Sequence, residues 1–329
     1  MRSTSYEIIP CPVCGTREST QIAGPDDVRA EVEALWEFHS RRLRPDTPPE
    51  LLMDRVAFSQ QPPFRVVECT SCGLVYRNPR ERAHELRETY AGEEPDSATL
   101  DSLFENQRAA YRAQARRLTE ELGRAGVGLE VGSYVGAFLD AAREQGWHFE
   151  GLDVNPTTNA FATSHGFRVM LGELESLETD QRYDAIAIWN CFDQLPDPRR
   201  AAVKARELLG AGGVFAVRVP NGAFYARLRQ ALDGPAAPGA RALLAHNNLL
   251  TFPYRLGFTL KSLELLLGKG GFRITRAYGD TLVPTADEWT RGWAAAEERA
   301  IKTLLRSLSL AGRVGAEGSP WLEVYARPD

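Results

Sequence analysis

Long apolar runs are missing from this chain. No stretch approaches the ~18–20 residues that cross a bilayer, which excludes a spanning helix as the organising feature. The first twelve residues contain no apolar h-region, so the expectation is no secretory signal and residence in the cytoplasm. Cysteine is scarce, at five in 329 residues, and that is no disulfide scaffold. The odd count fits a reducing compartment. An excess of cations is also absent: 39 Lys and Arg stand against 44 Asp and Glu, a net charge of −5. That balance weighs against a life on nucleic acid or anionic lipid, while leaving room for a local basic patch. The dinucleotide fingerprint G-x-G-x-x-G does not occur, which lowers NAD and FAD. What is present is an ordinary globular composition, 43% hydrophobic and 25% charged. General disorder is excluded, and the length suffices for two domains or one large α/β domain with additions.

Four of the few cysteines are concentrated in two pairs of identical spacing, Cys11-Pro-Val-Cys14-Gly15 and Cys69-Thr-Ser-Cys72-Gly73. A CxxC followed by glycine forms a tight knuckle, because glycine accepts the positive φ that follows. Two knuckles supply four thiolates, the tetrahedral set that zinc prefers. The pattern therefore predicts a zinc ribbon over residues 1–80, with Cys11, Cys14, Cys69 and Cys72 as ligands. A redox CxxC and chance spacing are the alternatives. With no open position, such a site is structural rather than catalytic. Between the knuckles, 26–42 reads as an amphipathic helix with Val28, Val32, Leu35 and Trp36 on one face. Pro48-Pro49 and Pro62-Pro63 punctuate the rest, and 64–68 reads as a strand feeding the second knuckle. A ribbon that reads nucleic acid is a sharper alternative, opposed by the lack of clustered Lys and Arg with aromatics between them. Cys191 lies in an apolar stretch and reads as a buried small residue.

Residues 81–122 read as a helical connector, with apolar positions from Leu100 to Leu118 at helical spacing. From 123 to 329 strands alternate with helices: 127–131, 148–153, 168–171, 183–189 and 214–219 against 137–145, 156–165 and 198–208. This predicts an α/β domain with a mostly parallel sheet covered on both faces. Residues 234–245, rich in Ala, Gly and Pro, read as a mobile connection. A helical insert is expected at 285–310, as a cap or dimer surface, followed by a final strand at 320–326.

The first strand of this region ends Leu129-Glu130-Val131-Gly132-Ser133-Tyr134-Val135-Gly136 and runs into a helix. Glycines there let backbone approach a ligand, and the helix start offers free N–H groups. Asp153 stands twenty-one positions beyond Gly132, at the end of the second strand, where an acid can accept both hydroxyls of a ribose. Taken in order, these motifs resemble class I S-adenosylmethionine-dependent methyltransferases. Glu130 matches the acid of their first motif, Gly132 and Gly136 its outer glycines, and Tyr134 stands where a middle glycine is usual. Tyr183-Asp184-Ala185-Ile186, Asp193-Gln194-Leu195-Pro196-Asp197-Pro198, the turn 208–213 and Gly271-Phe272 match later landmarks, with Asp193-Gln194 in place of the usual acid–His pair. The likeness covers about 123–277, and many bacterial members also carry an N-terminal CPxCG…CxxCG module.

That resemblance implies a Rossmann-like seven-stranded sheet and S-adenosylmethionine as cofactor. It implies that Glu130, Gly132, Ser133, Tyr134, Gly136, Asp153, Val154, Glu173, Leu174 and Asn190 surround the cofactor. Transfer from a sulfonium is an in-line displacement that needs alignment, and a base where the acceptor is a hydroxyl. His246, expected in the loop after the fifth strand, is the first candidate base and Asp193 the second. A loop histidine that only bonds backbone and a structural acid are the respective alternatives. Tyr225, Phe252 and Tyr254 are candidates to line an acceptor pocket. The implied acceptor is a small molecule, a sugar nucleotide or a natural-product intermediate, with a homodimer as a further expectation. An RNA methyltransferase using the ribbon as reader, and a non-catalytic cofactor-binding relative, are the competing readings.

Overall fold

The chain is described from a computed structural model, which covers residues 6–47, 64–250, 255–285, 288–309 and 312–329. The prolines at 48, 49, 62 and 63, and Phe252 and Tyr254, lie outside the described residues. The N-terminal part carries β1 (Tyr6–Glu7), β2 (Ser19–Ala23), α1 (Pro25–Ser40), β3 (Val66–Cys69), β4 (Val75–Arg77) and β5 (Arg80–Glu81). Two helices follow, α2 (Ala83–Ala91) and α3 (Ser97–Leu122). Then come β6 (Val127–Val131), α4 (Ala137–Glu144), β7 (His148–Asp153), α5 (Pro156–Ser164), β8 (Val169–Leu171), β9 (Tyr183–Trp189) and α6 (Pro198–Leu208). The remainder is β10 (Leu209–Pro220), α7 (Gly222–Gln230), α8 (Ala237–His246), β11 (Leu256–Gly257), α9 (Leu260–Lys269), β12 (Phe272–Asp280), α10 (Gly292–Ser309), α11 (Gly312–Glu317) and β13 (Trp321–Pro328).

Seven strands form the central sheet in the order β12-β13-β10-β9-β6-β7-β8. β13 alone runs against its neighbours β10 and β12, so the sheet is mostly parallel as expected. Alternation along β9 shows why both faces are covered. Ile186 and Ile188 enter a core with Ala201, Ala205, Leu263 and Leu266 of α6 and α9. Ala185, Ala187 and Trp189 enter the opposite core with Phe138, Ala115 and Leu118 of α4 and α3. Helix starts follow from local chemistry: Asn155 caps α5 and Asp197 caps α6, each through two backbone N–H groups and each before a proline in the first turn.

The N-terminal strands form their own four-stranded antiparallel sheet, β11-β4-β3-β2. Its fourth strand is borrowed from the segment after β10. Gly222 explains how closely the two parts approach, since a Cβ there would meet the Gly257 carbonyl oxygen at 2.3 Å and the Val75 Cβ at 2.9 Å.

Two expectations need correction. Residues 234–245 are not a mobile connection: α8 forms there. Alanine and leucine favour helix, Pro238 sits in the first turn, where its missing N–H costs nothing, and Leu244 and Ala245 bury against Leu35 of α1. The insert helix begins at Gly292, not Thr285. The backbone before it is held otherwise, with the Trp289 carbonyl accepting from Arg44 N–H at 2.9 Å and Thr290 bridged to Leu43.

Candidate functional site

The strand order reverses at β6: β7 and β8 extend the sheet on one side, β9 and β10 on the other. Open α/β sheets bind ligands in the crevice at such a point, beyond the carboxyl ends of the strands. A cavity of about 810 Å³ opens there, within the size range of small-molecule and cofactor sites.

Its floor is the turn after β6. Gly132 has φ +73°, and its N–H donates to the Leu152 carbonyl at 2.8 Å, folding the turn back onto β7. A Cβ at Gly132 would meet Cys191 Sγ at 2.5 Å. Tyr134, which replaces a glycine of the resembled motif, adopts φ +47°. A bulky residue holds that left-handed conformation only where its surroundings impose it. Here the Tyr134 N–H donates to Asp153 Oδ2 at 2.9 Å. The Asn155 N–H donates to Asp153 Oδ1 at 2.9 Å. Burial pushes the Asp153 carboxyl up, opposed by these backbone donors. Glu130, 2% exposed in β6, is pushed well above the carboxylate range by burial and then by the charge of Asp153. Its Oε2 has no partner among the described residues.

Of the residues expected at the cofactor, Gly132, Tyr134, Asp153, Val154, Glu173, Leu174 and Asn190 line the cavity. Glu130, Ser133 and Gly136 are absent from the lining and stand behind it: Ser133 packs against Gly151, and Gly136 (φ +77°) opens α4. The side the sequence did not disclose comes from the connector. Arg87 and Tyr90 of α2, and Leu103, Asn106, Gln107 and Tyr111 of α3, form the opposite wall. Asn155 Nδ2 donates to the carbonyls of Tyr90 and Glu93 at 2.7 and 2.9 Å, fastening this wall to the end of β7. The apolar periodicity of α3 showed its core face, and its i, i+4 neighbours Leu103, Gln107 and Tyr111 were the available signal for a second, polar role.

The candidate bases lie apart from the cavity. His246 ends α8, 2% exposed, with its ring edge-on to Phe38 at 4.9 Å and Nε2 3.3 Å from an Arg42 guanidinium nitrogen. It lines a pocket of about 10 Å³, room for one water, together with His39 and Thr285. Thr285 also lines the large cavity; His246 does not. Asp193 is fully buried, and burial pushes its carboxyl well above the usual range. Neither of its oxygens has a hydrogen-bond partner among the described residues, and it too is absent from the cavity lining. Tyr225 is buried against Glu31 of α1, away from the cavity. Beneath the floor, Arg218 is 2% exposed; its Nε donates to Asp280 at 2.7 Å, and it bonds the side chain of Asn190. Asn190 Nδ2 in turn donates to the Tyr111 hydroxyl at 3.0 Å.

The four knuckle cysteines converge as the spacing predicted. All four sulfurs lie within 4.8 Å of one another, with Cys11–Cys72 at 3.6 Å and Cys14–Cys69 at 3.4 Å. A tetrahedron with Zn–S bonds of ~2.3 Å has edges of about 3.8 Å, so the set fits one such ion. The two knuckles repeat one geometry. Gly15 (φ +84°) and Gly73 (φ +73°) return N–H groups to the Cys11 and Cys69 carbonyls, each at 2.9 Å.

The fold is Rossmann-like, with a crevice where the strand order reverses. The family model described as the methyltransferase domain matches residues 103–277, more than half of the chain. The chain belongs to the S-adenosylmethionine-dependent methyltransferases. No curated protein matches it. Solved structures with a similar fold include the glycopeptide N-methyltransferase MtfA, at 14% identity over 67% of this chain and 90% of that one, with a TM-score of 0.43. The plantazolicin methyltransferase BpumL, solved with S-adenosylhomocysteine, shares 12% identity over 74% and 94%, with a TM-score of 0.45. A methyltransferase from Thermotoga maritima shares 16% over 70% and 94%, with a TM-score of 0.44. Among the described residues no helix is long and apolar enough to cross a membrane.

Proposed function

We propose that the chain methylates a small molecule held in the large cavity, with the cofactor lying along the turn 132–136. The observation that carries this reading is the Asp153 carboxylate, fixed by two backbone N–H groups at the crevice where Gly132 brings the chain closest. Its remaining lone pairs are placed for ribose hydroxyls. Glu173 and Leu174 flank the far end of the same wall, and Asn190 the near end. S-adenosylmethionine supplies an already activated methyl group, so the work left to the protein is alignment and exclusion of water. Closure by α2 and α3 provides both, because Asn155 pins that wall over the crevice. Neither His246 nor Asp193 lines the cavity, and the reading rests on positioning rather than on a side-chain base.

The same proposal gives Cys11, Cys14, Cys69 and Cys72 a structural zinc. The knuckles are tied into the catalytic half, where Lys261 Nζ donates to the Ser71 carbonyl at 2.8 Å and Lys269 Nζ to that of Val13 at 3.3 Å. With its sheet completed by β11 and its knuckle carbonyls bonded by lysines of α9, the ribbon braces the catalytic half rather than reading RNA. Calorimetry with S-adenosylmethionine and S-adenosylhomocysteine tests the cofactor site. Both should bind, and Asp153→Ala should lose binding by tenfold or more; equal binding by wild type and variant sinks the assignment.

A further inference from the structure

The described lining of the cavity is charged at one end only. Among its described lining residues Arg87 is the sole cation, and it pairs with Glu173 at 3.5 Å. Glu93, Glu94, Asp96, Asp153, Glu173 and Glu175 are the acids, all toward the β7–β8 end or the rim formed by the α2–α3 turn. The other end lies between α3, the end of β9 and the residues Leu282, Val283, Thr285 and Trp289. Its described lining is uncharged: Leu103, Asn106, Gln107 and Tyr111 face Trp189, Asn190 and Trp289. The Asn106 amide nitrogen donates to the Pro284 carbonyl at 3.3 Å and joins two of these walls. Arg218 stands behind Asn190 but is committed to Asp280 and to the Thr281 carbonyl, at 2.7 and 2.6 Å.

Resting on the cofactor site proposed above, we propose that this end takes an uncharged acceptor, a ring-bearing molecule with hydroxyl or amide groups, and rejects phosphate- or carboxylate-bearing ones. An anion moved into such a site loses its water and meets no cation in return, while the acids at the other end repel it. A neutral ring instead finds the Trp289 face, and its hydroxyls find amides and hydroxyls at Asn106, Gln107 and Tyr111. Of the two acceptor classes suggested by the sequence, this favours an uncharged natural-product intermediate over a sugar nucleotide.

The test uses the full chain saturated with S-adenosylhomocysteine and ligand-observed NMR with four probes: phenyl glucoside, phenyl phosphate, benzoate and uridine diphosphoglucose. Phenyl glucoside should bind at least tenfold more tightly than any of the anions. Gln107→Lys, its fold checked by its melting transition, should narrow that gap by raising the affinity for phenyl phosphate. Anions binding as well as phenyl glucoside, or phenyl glucoside failing to bind the loaded protein, overturns the proposal. If S-adenosylhomocysteine itself does not bind, the cofactor site is misplaced, and that separate failure is visible before any probe is added.

Discussion

Gly132→Ala is the sharpest perturbation of the crevice floor. Two costs follow from the geometry. The residue holds φ +73°, a left-handed conformation that costs a side-chain-bearing residue ~1–2 kcal/mol. The added methyl would lie 2.5 Å from Cys191 Sγ and 3.2 Å from its Cβ, so one strand end must move. Overpacking of this kind costs about 1–3 kcal/mol. The turn relieves both by shifting away from β9, which displaces the Gly132–Leu152 hydrogen bond and the Tyr134–Asp153 contact beside it. The cofactor must then restore the turn on binding. If about 2 of the combined ~2–5 kcal/mol is charged to binding, S-adenosylhomocysteine affinity falls roughly thirtyfold. Calorimetry measures it directly. Cys191→Ala in the same chain removes the 2.5 Å conflict and leaves the 3.2 Å one, so it should recover the steric part and not the conformational part. Binding within twofold of wild type in the single variant, or no recovery in the double variant, refutes the account of the floor.

Two further outcomes follow from the same geometry. Metal analysis should find about one zinc per chain, and Cys69→Ser should lose it and lower the melting transition, because the knuckles share a core with Leu256, Phe258 and Leu263 of the catalytic half; an unchanged melt would make the ribbon an independent appendage. Asp184 accepts from Arg124 at 2.6 Å and from the Val127 N–H at 2.9 Å, and the Arg124 bond holds its carboxyl below the usual range. The folded state thus favours the ionised acid, so the contribution is present above about pH 4 and is lost as pH falls through the lowered value. With Arg124 60% exposed, Asp184→Asn should cost on the order of 1 kcal/mol or less at pH 7 and less again at pH 3 by urea denaturation; a larger cost at pH 3 contradicts this.

What the sequence disclosed and what it withheld divide along a physical line. Strands β6, β7 and β9 were legible to the residue because each is a short apolar run ended by glycine, an acid or a turn. Gly132 and Asp153 were expected at the crevice and both line the cavity, because a turn and a strand end of that pattern fall at the carboxyl edge of the sheet. The cysteine pairs were legible because two short spacings, each closed by glycine, bring four sulfurs together. The far wall was not, because packing of α3 over the cavity is a tertiary fact: Tyr111 reads as one more apolar position, and only the fold brings its hydroxyl to Asn190. Residues 234–245 misled for a related reason. Glycine and proline there signal a break, yet burial of Leu244 against α1 outweighs them and carries His246 into a pocket walled by Arg42 and Phe38. A histidine's chemistry was readable and its address was not. The address matters most for the acceptor, whose class depends on which charges reach one end of the cavity, and in this fold the charged side chains there are held by partners below the floor or gathered at the opposite rim.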